Sequence, residues 1–397
     1  MNRRLGIESS LGIGGGLVSR KSQKNLEKAE DLCRKRKPKK AVPYLLEALK
    51  DSPENLDAVI QVAFLMDRPS AVETLKQAEI KGKASLQGRL GKDSFDDSGE
   101  HVGNFWAIIE TRPYMRVLQA LVRLYFEEGQ FEESANTMSE MLRLCPGDNM
   151  GQRYWLGSAL NRISRYSDAL FFAQIWLHPF AHDRGEIPLR GGTVFKEPSR
   201  NLISPEREVS LSKHGHGAFL YTAALASFKL WGDCLQSRQY LRIAASANPN
   251  VLLKILARVS RPENLNNEPR AFNGPEEAHD YLWLTQDLWM EPAVWDWANN
   301  NPDVMKAVLK VCSRPECTVA ETKVAQFKRC SACHTTSYCG PSCQKEDWSR
   351  HKPDCKSHQM IKAARKPFQN GKPPPKDSTI PIYSADFSGN MVMVNGP

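Results

Sequence analysis

Seven cysteines and two histidines, His334 and His351, fall between Cys312 and Cys355, and the cysteines with His351 run in the order Cys312-x4-Cys317-x12-Cys330-x2-Cys333-x5-Cys339-x3-Cys343-x7-His351-x3-Cys355. Eight such side chains suit two tetrahedral zinc ions. Zinc takes four thiolate or imidazole donors at about 2.0–2.3 Å, and a short pair such as CxxC brings two sulfurs from one turn to the same ion. A disulfide knot fits less well: seven cysteines leave one over, a histidine completes the pattern, and nothing in the sequence reads as an export signal. If protein ligands fill all four positions, no site remains for a reactive water, so such zinc ions are structural rather than catalytic. Spacing alone does not separate two sequential sites from two interleaved ones.

The runs CSAC, SYCGPSCQKEDW and HKPDC resemble the MYND zinc finger, and every ligand position of that motif is filled over 312–355. The first pair departs from the commoner CxxC, being CxxxxC, which changes loop length and leaves the ligand chemistry alone. The resemblance implies an interleaved arrangement, with Cys312, Cys317, Cys339 and Cys343 on one zinc and Cys330, Cys333, His351 and Cys355 on the other. It also implies a groove for a short proline-containing peptide, lined here by Ser331, Gln344 and Trp348. Trp348 would offer an aromatic face to proline and Gln344 a hydrogen bond to peptide backbone; Trp348 could equally serve to pack the small module.

The elements that carry this module are helical. From Arg116 to Pro146, Leu118, Leu121, Tyr125, Ala135, Met138 and Leu142 recur at three- and four-residue steps around a turn at Gly129. The same frame fits Leu156 to Pro179, Tyr221 to Pro249 and Ala29 to Pro53, with a shorter copy at Ala71, Leu75 and Ala78. A repeat of about 34 residues with small residues at the crossings resembles the tetratricopeptide (TPR) repeat. That resemblance implies a mainly α fold, a TPR-like α-solenoid over 22–300 whose concave face holds a peptide or a helix, followed by the small two-zinc MYND finger. Trp283, Trp289, Trp295 and Trp297 would cap the last hairpin, the alternative being an aromatic peptide groove.

Between the repeats, 88–104 and 179–217 read as long loops, the first a flexible one. His178, His182, His214 and His216 lie in or beside the second, with no companion ligands at metal spacing, and are expected to face solvent. Residues 1–21, Arg-containing and glycine-rich, read as a disordered N-terminal tail; a mitochondrial leader is the alternative. Residues 356–397 read as a basic, Pro-containing tail that serves as a linker.

Enzyme motifs fail on inspection. Gly12 and Gly14 open a GxGxxG whose third position is Leu17, and Gly91-Lys92 is followed by Asp93 where a phosphate-binding loop needs Ser or Thr. No GxSxG or HExxH occurs. MYND fingers also occur in SET-domain methyltransferases, but there the finger lies within the catalytic domain ahead of the helices, whereas here the helices come first and no NHxCxPN-like stretch appears.

The net charge is +9, and residues 301–397 hold fifteen Lys/Arg against eight Asp/Glu, which leaves nucleic acid as a weaker partner class. No apolar run reaches the roughly 18–20 residues of a membrane span, so no membrane partner is expected. The reading is therefore a non-enzymatic, two-zinc adaptor for proteins, proline-rich segments among them, in a reducing intracellular compartment such as cytoplasm or nucleus.

Overall fold

The computed structural model describes residues 7–266, 270–369, 382–385 and 391–394. Among these the regular structure is almost all α-helix, with two short strand pairs. The chain divides into two compact units, with the boundary in sequence between Glu197 and Pro198.

The first unit holds α1 (Ile7–Leu11), α2 (Arg20–Arg34), α3 (Pro38–Asp51), α4 (Leu56–Ala63), α5 (Arg68–Leu90), α6 (Arg112–Glu127), α7 (Phe131–Leu144), α8 (Arg153–Arg162), α9 (Tyr166–Leu177) and α10 (Pro179–His182). Proline in the first turn starts α3, α5 and α6, where its missing N–H costs nothing and its fixed φ suits a helix. Ser19, Asn55 and Asp67 cap α2, α4 and α5 by accepting the N–H of Ser22, Ala58 and Ser70. Helices pack chiefly on their neighbours in sequence: α2 on α3, α6 on α7 and α8 on α9 form hairpins, and α4 and α5 bridge the first two. Gly129, at φ 74°, makes the α6–α7 turn where the sequence places it.

Small residues let these helices approach. Ala29, Ala41 and Ala48 are fully buried between α2 and α3. The Ser22 hydroxyl donates to the Ala48 carbonyl at 2.7 Å and accepts from the Asn55 amide at 2.9 Å, which ties α2 to both following helices.

The expected disordered tail over 1–21 does not describe residues 7–21, while residues 1–6 lie outside the described set. These residues form α1, a glycine turn and the start of α2. Buried Glu8 accepts two bonds from Arg116 of α6 at 2.8 and 2.9 Å and the Gly14 N–H at 3.0 Å. Gly14, Gly15 and Gly16 all have positive φ, so the glycine run is a tight turn rather than a flexible leader.

The segment 88–104 is irregular after Leu90 but pinned. Phe95 lies edge-on to Phe105 and Tyr114 at 5.0 and 5.4 Å, and Gly103 and Phe105 donate to the Leu144 carbonyl. The 179–217 stretch is less loop-like than expected: α10 opens it, the Trp176 indole N–H fixes Gly191 at 3.1 Å, and a helix occupies Pro205–His214. The unit boundary falls inside it, within the 22–300 span expected to hold the TPR-like repeats.

The second unit continues with α11 (Pro205–His214), α12 (Gly217–Trp231), α13 (Leu235–Ala247), α14 (Pro249–Leu256), α15 (Pro275–Trp289), α16 (Pro292–Asn299) and α17 (Pro302–Val308). Trp289 is fully buried, its ring edge-on to Tyr221 of α12 at 5.8 Å and parallel to Trp297 at 6.4 Å. Trp297 in turn stacks on Phe228 at 4.3 Å. Trp289 and Trp297 thus pack inward onto α12, Trp283 is buried, and half-buried Trp295 donates to the Ile255 carbonyl of α14 at 3.3 Å. His178 and His214 are exposed, while His182 and His216 are half-buried beside Asp183 and Glu277. Beyond α17 lie the cysteine module and a helix that continues to Gln369; most of the Pro-rich stretch after it lies outside the described residues.

Candidate metal centre

The module begins where α17 ends. An isolated antiparallel bridge joins Val311 to Ala320, and β1 (Lys328–Arg329) pairs antiparallel with β2 (Ser337–Tyr338). Two helices follow, α18 (Pro341–Glu346) and α19 (Trp348–Gln369). Cys312 precedes the first loop, Cys330 and Cys333 flank the turn after β1, Cys339 and Cys343 span the entry to α18, and His351 and Cys355 sit one turn apart on α19. A four-residue step on a helix puts both side chains on one face, which is what a shared ion needs.

The ligand atoms gather into two groups, Cys312 with Cys317, Cys339 and Cys343, and Cys330 with Cys333, His351 and Cys355. Within each group they lie within 4.8 Å of one another. A tetrahedral ion with Zn–S bonds of about 2.3 Å holds its sulfurs about 3.8 Å apart. Here Cys317 and Cys339 are 3.7 Å apart, Cys339 and Cys343 3.5 Å, and Cys330 and Cys355 3.9 Å. The Cys333 sulfur lies 3.4 Å from His351 Nε2. The donor sets therefore fit two zinc ions, and the arrangement is interleaved, as the resemblance implied.

Donors around the thiols favour the thiolate form in each group. Burial would raise Cys333, but the Thr335 hydroxyl and N–H, at 3.0 and 3.5 Å, hold it down to about 6. Burial also opposes Cys312, which backbone N–H groups at Cys339 and Arg314 lower to about 7. Cys343, close to Cys339 and desolvated, is pushed up to about 12. An ion in the group would deprotonate its remaining thiols outright.

Residues that carry no ligand atom hold these strands in place. Asp347 accepts the Tyr338 hydroxyl at 2.7 Å and two bonds from Arg350, whose Nη2 also donates to the Ser313 carbonyl at 2.8 Å. Buried Glu321 accepts the N–H groups of Lys310 at 3.0 Å and Phe327 at 2.7 Å, closing the long loop between Cys317 and Cys330. None of these was singled out in the sequence, where an acid in a polar run reads as surface. The apolar core consists of Phe327 and Tyr338 packed with Cys312, Cys343 and Cys317.

Of the three residues expected to meet a peptide, Ser331 is exposed in the turn after Cys330, and Gln344 is half-buried on α18. Trp348 opens α19 with 42% of its surface exposed, its ring 5.9 Å from that of His351. Gln344 and Trp348 stand four residues apart across the α18–α19 junction, where Asp347 N–H still bonds the Cys343 carbonyl.

Geometry and ligands define a closed, two-zinc interaction module. The family model of the MYND finger matches residues 311–355. Over 48 residues the chain is 46% identical to an F-box protein of Arabidopsis thaliana, 12% of this chain and 13% of that one. It is 44% identical over 41 residues to SET domain-containing protein 14 of Caenorhabditis elegans, and 39% identical over 46 residues to a histone-lysine N-methyltransferase of Arabidopsis thaliana. The last two matches cover 10% and 12% of this chain and 10% of each relative, so the chain spans about a tenth of the proteins it resembles. No solved structure matches it significantly.

Proposed function

We propose that the protein is a non-enzymatic adaptor whose finger captures a proline-containing peptide on Trp348, Gln344 and Ser331, while the helix hairpins bind a second protein as TPR-like repeats do. The exposed indole carries this reading. Trp348 stands beside a ligand set already closed by four protein donors, so the module's chemistry is spent on shape, and an aromatic face is left toward solvent. Proline-rich segments suit such a face because they lose little entropy on docking.

The SET domain-containing protein and the histone-lysine N-methyltransferase share only the finger segment with this chain, and that likeness transfers an interaction module rather than a reaction. Seven of the ten cysteines serve as zinc ligands and none is paired in a disulfide, which accords with a reducing compartment such as cytoplasm or nucleus.

Two titrations test the proposal. Calorimetry with proline-rich peptides should give saturable binding that Trp348→Ala weakens by about 2 kcal/mol, roughly thirtyfold, with both zinc ions retained. Equal binding by the variant would remove the indole from the site. Saturable heat on adding S-adenosylmethionine would overturn the non-enzymatic part of the reading.

A further inference from the structure

Residues 34–40 read RKRKPKK, six cations in seven residues, and residues 1–40 hold twelve Lys/Arg against four Asp/Glu. The run forms the turn between α2 and α3, and all seven residues are exposed. Arg36 takes φ 57°, and the backbone is closed by Lys35 N–H to Asp31 O at 3.0 Å, Arg36 N–H to Cys33 O at 2.9 Å and Lys37 N–H to Leu32 O at 2.9 Å. Asp31 engages Lys35 at 2.6 Å and Arg34 at 3.5 Å. Among the described residues, Arg36, Lys37, Lys39 and Lys40 have no ion-pair partner.

The outer face of α3 adds an apolar component. Its inner face is used up by the core, with Ala41, Leu45 and Ala48 fully buried. On the other side Lys39, Val42, Pro43, Leu46 and Lys50 are all exposed, Leu46 at 59% and Val42 at 39%, with Glu47 alongside. That is one stripe at helical spacing, apolar in the middle and cationic at both ends, continuous with the cationic turn. Lys21, Lys24 and Lys28 are exposed on α2, Lys21 with Asp51 at 3.7 Å and Lys28 over the Tyr44 ring of α3 at 4.2 Å.

We propose that the α2–α3 hairpin is a peripheral docking surface for a bilayer rich in anionic lipid. Cations at the turn and stripe ends would meet headgroup phosphates and carboxylates, while Val42 and Leu46 enter the interface beneath them. The long Lys and Arg stems reach around the apolar pair without drawing the charges out of water. A nucleic-acid backbone would use the cations but leaves the exposed apolar pair without a role. A receptor that reads an extended basic peptide would first have to break the backbone bonds that close the turn. The contact needs no spanning helix, and no described helix is long and apolar enough to be one.

Flotation of the full chain with vesicles of phosphatidylcholine, alone or with one third phosphatidylserine, tests this surface. The protein should float with the anionic vesicles only, less so as salt rises. The combined variant Arg36→Asn, Lys37→Ser, Lys39→Gln and Lys40→Gln should lose at least about a hundredfold in partitioning. Its replacements suit the left-handed residue and the helix cap, so thermal unfolding should match wild type. Leu46→Ser should lose about tenfold on the vesicles while leaving any binding to a duplex oligonucleotide unchanged. No flotation of the wild type, or equal flotation of the four-residue variant, overturns the proposal. Vesicle binding indifferent to Leu46→Ser, with tighter binding to the duplex that the four-residue variant abolishes, replaces it with a nucleic-acid surface.

Discussion

Cys333→Ala in the full chain should lower the bound zinc from two ions to one and unfold the second half of the finger, while the far-ultraviolet signal of the helical units stays close to wild type. The expectation rests on how little else holds the module. Its apolar core is two aromatic rings among cysteine sulfurs, and each buried ring contributes about 2–3 kcal/mol. A structural zinc contributes on the order of 10–16 kcal/mol of apparent binding energy, which becomes folding energy when the site forms only in the folded state. Interleaving spreads the damage, because the second set joins the turn after β1 to α19. Native mass spectrometry reads the ion count, and hydrogen exchange over 328–355 reads the unfolding. A wild-type chain that carries one ion would overturn the two-site assignment. A variant that keeps full protection would show that the core, not the metal, holds the strands.

The finger was legible in the sequence because ligand spacing is a short-range signal: four-residue and three-residue steps fix which sulfurs one turn can present. The Glu321 and Asp347–Arg350–Tyr338 contacts were not, since nothing local distinguishes an acid that closes a loop from one that faces water. Hairpins were legible where apolar periodicity coincided with a glycine turn, at Gly129 and again at Gly232, both with positive φ. The helix Pro205–His214 escaped because Leu211 is its one buried residue, which leaves no apolar stripe to detect. The cations of 34–40 are plain in the sequence, but a charge run alone does not distinguish a solvated turn from a docking surface. Their placement on a closed turn beside exposed Val42 and Leu46 is what gives them a surface to belong to.

Arg116→Met should destabilise the first unit by about 3–5 kcal/mol, the usual cost of stranding buried charge. Arg116 lies at the centre of a buried cluster in which it, Glu8 and Asp57 are at most 6% exposed. Its guanidinium donates to Asp57 at 2.6 and 2.7 Å and to Glu8 at 2.8 and 2.9 Å. Burial alone would lower the Arg116 pKa, but the two carboxylates outweigh it and hold the group above its ordinary range. Methionine in its place would remove both forked pairs and with them four charge-assisted hydrogen bonds to the buried carboxylates. Lysine would not restore the arrangement, because a single ammonium cannot form two forked pairs at once. The damage should also be directional: hydrogen exchange over residues 7–18 should rise first, since Glu8 ties α1 and the glycine turn to α6. Adding Glu8→Gln and Asp57→Asn to Arg116→Met should recover part of the loss, because neutral amides are cheaper to bury than unpaired carboxylates. If urea unfolding of Arg116→Met matched wild type within about 0.5 kcal/mol, the cluster would have to be solvated in solution, and the N-terminal segment would be the tail that its composition suggests.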